Sequence, residues 1–475
     1  MKNLTHFNND RLFKAAFLSL ILIKLILVMG HRMHPLALFL PHDDGLMYNM
    51  AVSITNGKWL GAYNQLTLAK GVFFPIWLAF LNLLSLPMLV GNQILYTASC
   101  LFFIWCIKPI IKNKKILVLT FTVLLFNPLT LGIPNLLRVY RDGIFPSLII
   151  FVFAGIIGMF LYRDNDKKML ICSSLYGIGL SAAWHTREDT FWVLPFVIIA
   201  NIVIAIFIFI DKKCMNRIKK SICLILPLIM LIISNLSVST LNYIAYGRFV
   251  RNDYMSRDFQ GAFGALARVA HERFDYFNPV PEEVRMKIYQ MSPAFNELRP
   301  FLDEGPLEGW KEHGKIQFGW SQHDFYSWFM WALRDAVACA GYYENPQKAK
   351  EYYIRLAKEI NDAIDRGLLP GRSGKRSTLA TPYSKEYFWS TVNNVIAAAK
   401  FVIKYDNVVL HITPMFIPVD QSQRLREMEL YLNQFSTGVV REVELSGWAF
   451  DDSENVNIRV TDITNQDIDA MIIKR

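Results

Sequence analysis

Residues 40–75 read LPHDDGLMYNMAVSITNGKWLGAYNQLTLAKGVFFP. They lie between two apolar blocks, and the side of the membrane they occupy decides how often the chain crosses it. The 475-residue chain is 53% hydrophobic and 19% charged, with a mean hydropathy of +0.25, which is too apolar for an ordinary soluble enzyme. The apolar residues are unevenly spread. From Arg11 to Ile244 they form blocks long enough to cross a bilayer, whereas from Ala245 onward they scatter among charges and turn residues. The first block, FKAAFLSLILIKLILVMG (13–30), follows basic residues and has no small-residue cleavage site, so it reads as a retained signal anchor.

A net charge of +10 and a pI near 9.1 do not point to nucleic acid once the cations are located. Many fall in short loops: KNKK (112–115), RDNDKK (163–168) and DKKCMNRIKK (211–220). Positive-inside bias puts these loops and the N-terminus in the cytoplasm. It leaves LLRVYRDG (136–143), HTRED (185–189) and everything after Ile244 outside.

Asp43 is then outside while KNKK is inside, so an odd number of spans must separate them. Two apolar blocks lie there, 72–90 and 93–111. The first carries Pro75 and Pro87 and reads as an interfacial or re-entrant helix, which leaves the crossing to the second. The expectation is a seven-span helical membrane domain over 1–245 with a first outer loop at 33–92; a two-span hairpin is the alternative. A mainly helical outer domain follows over 246–407, with helices expected in 281–291, 324–343 and 345–367. Alternation in VVREVELSGWAF and VNIRVTDI suggests a β-rich segment over 408–475, packed on the helical domain or belonging to an incomplete β-domain.

Cys339 is the one cysteine in the outer region, so no internal disulfide is expected there. The aromatic stripe Phe325, Trp328, Phe329 and Trp331 reads as core rather than as a sugar platform. His313, His323 and Asp324 read as surface or capping residues, and GKRS (374–377) as a solvated loop.

Charge converges in the outer loops flanking the spans: Asp43, Asp44, Lys70, Arg138, Arg141, Asp142, Arg187, Glu188 and Asp189. A carboxylate among cations suits sugar transfer from a lipid phosphate. The base takes a hydroxyl proton, and fixed positive charge stabilises the departing phosphate.

The sequence DDGLMY, then TNGKWLG, then TLAKGVFFP resembles the first outer loop of the GT-C glycosyltransferase superfamily. That superfamily includes lipid A aminoarabinose transferases, protein O-mannosyltransferases and oligosaccharyltransferases. The resemblance covers about residues 10–245. It implies a seven-span core with interfacial helices in the first loop, a polyprenyl-phosphate-linked sugar donor, an extracytoplasmic acceptor and transfer with inversion. It also implies a bacterial cytoplasmic membrane and a role in building cell-envelope glycans.

By position, the family's catalytic acid falls on Asp43 or Asp44, and Asp142 matches its second-loop aspartate. Lys70 matches the phosphate-binding lysine of the aminoarabinose branch, although Gly71 stands where that branch has proline. Tyr48, Arg138, Arg141, Arg187 and Glu188 are the further substrate-binding candidates, Arg187 as a phosphate contact with Glu188 and Asp189 as its ion-pair partners. Second-loop acids help to hold a divalent cation in oligosaccharyltransferases, whereas single-sugar members work without one, so metal dependence stays open. A transporter or flippase of lipid-linked glycan, or a non-catalytic anchor presenting the outer domain, are the rival readings. Of residues expected deep in a span, Lys24 is the clear ionisable example.

Overall fold

The computed structural model describes residues 2–35, 42–130, 134–210, 216–271, 277–318, 323–372, 385–404 and 422–436. Helix α1 (Lys2–Met29) is followed by two short helices in the first loop, α2 (Asp44–Thr55) and α3 (Phe73–Leu83). Next come α4 (Met88–Ile107), α5 (Lys114–Leu125) and a single turn, α6 (Pro134–Leu137). The remaining apolar helices are α7 (Phe145–Leu161), α8 (Asp166–Trp184), α9 (Val193–Ile210) and α10 (Arg217–Tyr246).

Five segments are long and apolar enough to cross a membrane: Arg11–Met29, Met88–Ile107, Arg141–Leu161, Glu188–Ile210 and Arg217–Tyr246. Neither α5 nor α8 is among them. The 12 residues of α5 reach only ~18 Å. Helix α8 is long enough but carries Asp166, Lys167, Lys168 and several small polar residues, which its position tolerates because α7 and α10 pack along it. Gly155 of α7 lets the two backbones meet: a Cβ there would lie 2.5 Å from the Cβ of Tyr176 and 2.9 Å from the Cys172 carbonyl.

The two prolines of the 72–90 block both start helices rather than interrupt one. Pro75 lies in the first turn of α3 and Pro87 caps α4, so the membrane-length helix begins at Met88, five residues before the expected 93. With 11 residues, α3 is too short to span. Lys24 is fully buried and serves the packing of the bundle. Its Nζ donates to the carbonyl of Leu125, the last residue of α5, at 2.9 Å and to Thr130 Oγ1 at 3.4 Å.

Helix α10 ends at Gly247, whose φ of +69° makes it a left-handed cap, and the helical region expected outside the membrane, here the outer region, begins there. Its elements are α11 (Arg257–Arg268), α12 (Glu282–Met291), the single turns α13 (Pro293–Asn296) and α14 (Arg299–Leu302), α15 (Glu308–Phe318), α16 (Phe329–Cys339) and α17 (Pro346–Asp365). Asn345 caps α17 by accepting from the Lys348 N–H at 2.8 Å. Phe325, Phe329, Leu333, Leu356 and Ile360 are fully buried in one core, which α11 and α17 close by packing together. Two helices stand outside that core, α18 (Lys385–Lys404) and α19 (Ser422–Leu432).

Three expectations change. Residues 422–432 are helical, and among the described residues there is no strand, only isolated bridges joining Met33 with Ser436 and Val269 with Gly371. VVREVELSGWAF, VNIRVTDI and GKRS lie outside the described residues. Asp324 is not a surface residue: it is buried, accepting from Arg285 at 2.7 Å and from the Glu282 N–H that opens α12 at 3.0 Å. His313 and His323 are exposed as expected. Finally, Trp328 and Trp331 are only partly buried, and Trp331 points away from the core toward the first loop.

The outer helices are fastened to that loop. The Arg334 guanidinium donates to the Gln65 carbonyl (Nε at 2.9 Å), the Asp253 N–H to the Leu68 carbonyl at 2.7 Å, and the Tyr246 hydroxyl to the Gly61 carbonyl at 2.9 Å. Helix α19 docks on the other flank. Asn82 donates to the Tyr431 carbonyl at 2.7 Å, and Leu425, Met428 and Leu432 join the core beneath α2 and α3.

Candidate functional site

The first loop contributes an acidic pair and a lysine that are far apart in sequence and adjacent in space. Asp43 precedes α2 and Asp44 opens it, while Lys70 ends the loop before α3. The Lys70 ammonium contacts Asp43 Oδ1. Arg138, from the loop before α7, completes the group, its Nη2 lying 3.1 Å from Asp43 Oδ2 and 2.6 Å from Asp44 Oδ1 and its Nε 3.0 Å from the latter.

The two aspartates differ in access. Asp44 has no exposed side-chain surface, whereas Asp43 is 35% exposed. Burial raises the Asp43 carboxyl, but Lys70 and Arg138 more than offset it and hold the group below its usual range. Lys70 is pushed the other way: its burial lowers the ammonium below the ordinary lysine range despite Asp43 beside it.

A second group adjoins the first through Gly71. The Arg141 Nη1 lies 2.5 Å from Glu188 Oε2, and the other oxygen of that carboxylate accepts from the Gly71 N–H at 2.6 Å. A Cβ at residue 71 would stand 2.3 Å from the His185 carbonyl oxygen and 2.9 Å from that of Thr186. Proline can supply neither the N–H nor the room, which gives a physical reason for glycine here. Of the two partners expected for Arg187, Glu188 is taken by Arg141 instead, whereas Asp189 holds Arg187 with both oxygens at 3.0 and 3.1 Å and Asp142 joins at 2.5 Å. Five carboxylates and four cations therefore share one patch: Asp43, Asp44, Asp142, Glu188 and Asp189 with Lys70, Arg138, Arg141 and Arg187.

All the candidates except Tyr48 belong to this patch. Tyr48 is buried one turn into α2 and packs edge-on against Tyr431, with ring centroids 5.5 Å apart. Its contacts support the docking of α19.

Sequence reasoning missed four residues. The ring of Tyr140 lies beneath Lys70, Arg138 and Arg141, with the cations 5.1, 4.9 and 5.3 Å from its centroid. Its place between two candidate arginines was the available signal. Trp331 covers Lys70 from the outer domain at 5.4 Å. Beside it, His42 Nε2 lies 3.3 Å from Asp335 Oδ2, a carboxylate that also accepts from Trp310 and Gln65. Nothing in the sequence links residues 42, 331 and 335.

Among the described residues, no group of three His, Cys, Asp or Glu side chains is arranged to hold a metal ion, and the carboxylates of the patch face cations. No protein-family model and no curated protein matches the chain.

Proposed function

We propose that the protein is a membrane glycosyltransferase that moves a sugar from a polyprenyl-phosphate donor to an extracytoplasmic acceptor with inversion. The observation that carries this reading is Asp43, a partly open carboxylate sharing two cations, Lys70 and Arg138, beside a set of membrane-length apolar helices. The polyprenyl tail would occupy lipid while its phosphate enters the charged patch. In the proposed seven-span arrangement α5 and α8 also cross, α5 together with residues 126–130 that continue it, and the patch then lies on the outer face.

In the proposed reaction the acceptor hydroxyl loses its proton to an Asp43 oxygen while its own oxygen bonds to the anomeric carbon. The bond from that carbon to the phosphate oxygen breaks, and polyprenyl phosphate departs with the electron pair. Lys70 and Arg138 neutralise it. Asp44, closed to solvent, positions Arg138. Arg141 and Arg187, paired with Glu188, Asp142 and Asp189, flank Asp43 rather than contact it and shape the rest of the patch. Asp43 is a weak base while Lys70 holds it; a phosphate that draws Lys70 away strengthens the base as the donor arrives.

The test compares cell-surface glycans and the polyprenyl-phosphate sugar pool by mass spectrometry in wild type, a deletion, and the deletion carrying Asp43→Asn or Asp44→Asn. One sugar should vanish from a glycan in the deletion, and Asp43→Asn at normal membrane level should not restore it. Full restoration by both variants would make the aspartates structural and remove the reading.

A further inference from the structure

Helix α18, Lys385–Lys404, packs broadly against no other described helix, although it is among the more apolar helices after residue 246. At ~100° per residue, Phe388, Val392, Val395, Ile396, Ala399 and Ile403 fall within an arc of about 100°. Trp389 lies at its edge, while Asn393, Asn394, Lys400 and Lys404 lie outside it. Elsewhere in the outer region such a stripe is hidden: Ile288 of α12 and Leu356 of α17 are fully buried. On α18 it is open. Ile403 is 77% exposed and Val395 63%, matching Ile218 of α10 at 78% and Leu119 of α5 at 62%. These side chains are thus as bare as those on the outer faces of the membrane-domain helices.

Charge and position indicate what covers the stripe. The helix carries Lys385, Lys400 and Lys404 against Glu386, an excess of two positive charges that complements anionic headgroups. Four charges and the paired asparagines make it too polar to cross, while Phe388 and Trp389 are aromatics of the kind that settle at a membrane interface. The chain on either side is tied to the membrane domain: Arg334 and Asp253 fasten the preceding helices to the first loop, and α19 docks against α3.

We propose that α18 lies in the plane of the membrane surface, with its apolar face in the acyl boundary of a bilayer containing anionic phospholipid and its lysines at the headgroups. It forms a second attachment for the outer domain, and it holds whether or not the protein transfers sugar.

The full-length protein, with Cys214→Ser and Cys339→Ser, would carry single cysteines in turn at 388, 392, 395, 396, 399 and 403 on one face and at 393, 394, 400 and 404 on the other. Each is spin-labelled and reconstituted into vesicles of phosphatidylethanolamine and phosphatidylglycerol. Collision rates with dissolved oxygen and with a water-soluble nickel chelate are then compared. Oxygen should exceed nickel on the apolar face and the ratio should invert on the polar face, with a ~3.6-residue period. Nickel reaching both faces equally would overturn the proposal by placing the helix in water. Exclusion of both reagents from the apolar face would overturn it by showing that protein covers the stripe.

Discussion

Replacing Gly71 tests whether the first loop and the 185–189 turn meet as closely as the structure requires. Alanine would bring a Cβ to 2.3 Å from the His185 carbonyl oxygen and 2.9 Å from that of Thr186. Both obstacles are backbone, so relief requires moving the turn or the loop, and overpacking of this kind costs about 1–3 kcal/mol. Proline adds a second loss, because the N–H that donates to Glu188 at 2.6 Å disappears. A hydrogen bond to a charged acceptor contributes about 1.5–3 kcal/mol, so Gly71→Pro should cost roughly 2.5–6 kcal/mol in all. Thermal unfolding in detergent, with the proposed sugar transfer measured on the same samples, should rank wild type above alanine and alanine above proline. The increment from alanine to proline should shrink in a Glu188→Gln background, since the charged acceptor is then gone. An alanine variant that melts and transfers like wild type refutes the close approach, and a proline variant no worse than alanine refutes the N–H bond to Glu188.

Asp44→Ala strips Arg138 of its fully buried partner and leaves Asp43 to balance both Lys70 and Arg138, so it should destabilise the fold by about 1.5–3 kcal/mol, the contribution of a hydrogen bond between charged groups. Asp43→Asn removes the carboxylate facing buried Lys70 but keeps a hydrogen-bond acceptor at a partly open position, so it should lower the melting temperature less than Asp44→Ala does; equal melting shifts in the two variants would contradict the assigned burial. Asp43 has a depressed folded pKa, so its contribution to stability is present above the unfolded value of about 3.9 and is lost as pH falls through the folded one. Lys70→Met removes a cation that depresses it, and the acid limb of the transfer rate should move to higher pH; an unmoved limb would mean that Lys70 does not govern Asp43. His185 is lowered to about 4 by burial first and Arg251 second, so stability should decline as pH falls from about 6.5 toward 4. His185→Gln should flatten that decline in a pH series of unfolding curves.

The residues of the charged patch were legible because charge is conspicuous against apolar helices. Asp43, Lys70, Arg138, Arg141 and Glu188 are identifiable as residues of loops flanking apolar helices without knowing which of them touch. Their pairing was not legible, since it depends on how α2, α3 and the 136–143 and 185–189 loops fold over one another. The different burial of Asp43 and Asp44 was not legible either, since adjacent identical residues do not reveal it in sequence. Helix α8 is less apolar than its neighbours because a helix packed between two others needs small residues more than greasy ones. The alternating reading of the C-terminal region failed at 422–432, where Leu425, Met428 and Leu432 have the helical spacing that the α2–α3 core required.

Lys70 ends a short stretch of backbone clamped from two directions. Upstream, the carbonyls of Gln65 and Leu68 are gripped by Arg334 and Asp253 of the outer domain. Immediately downstream, Gly71 is wedged against the 185–189 turn. Such a segment transmits force rather than absorbing it. Under the proposed transferase reading, a tilt of this helical domain on meeting a bulky acceptor would be delivered to the ammonium beside Asp43, so acceptor capture and donor release would be mechanically geared together. Kinetically, that gearing would surface as a compulsory order of substrate addition, set by thirteen residues of loop, 59–71, rather than by any contact between the two substrates.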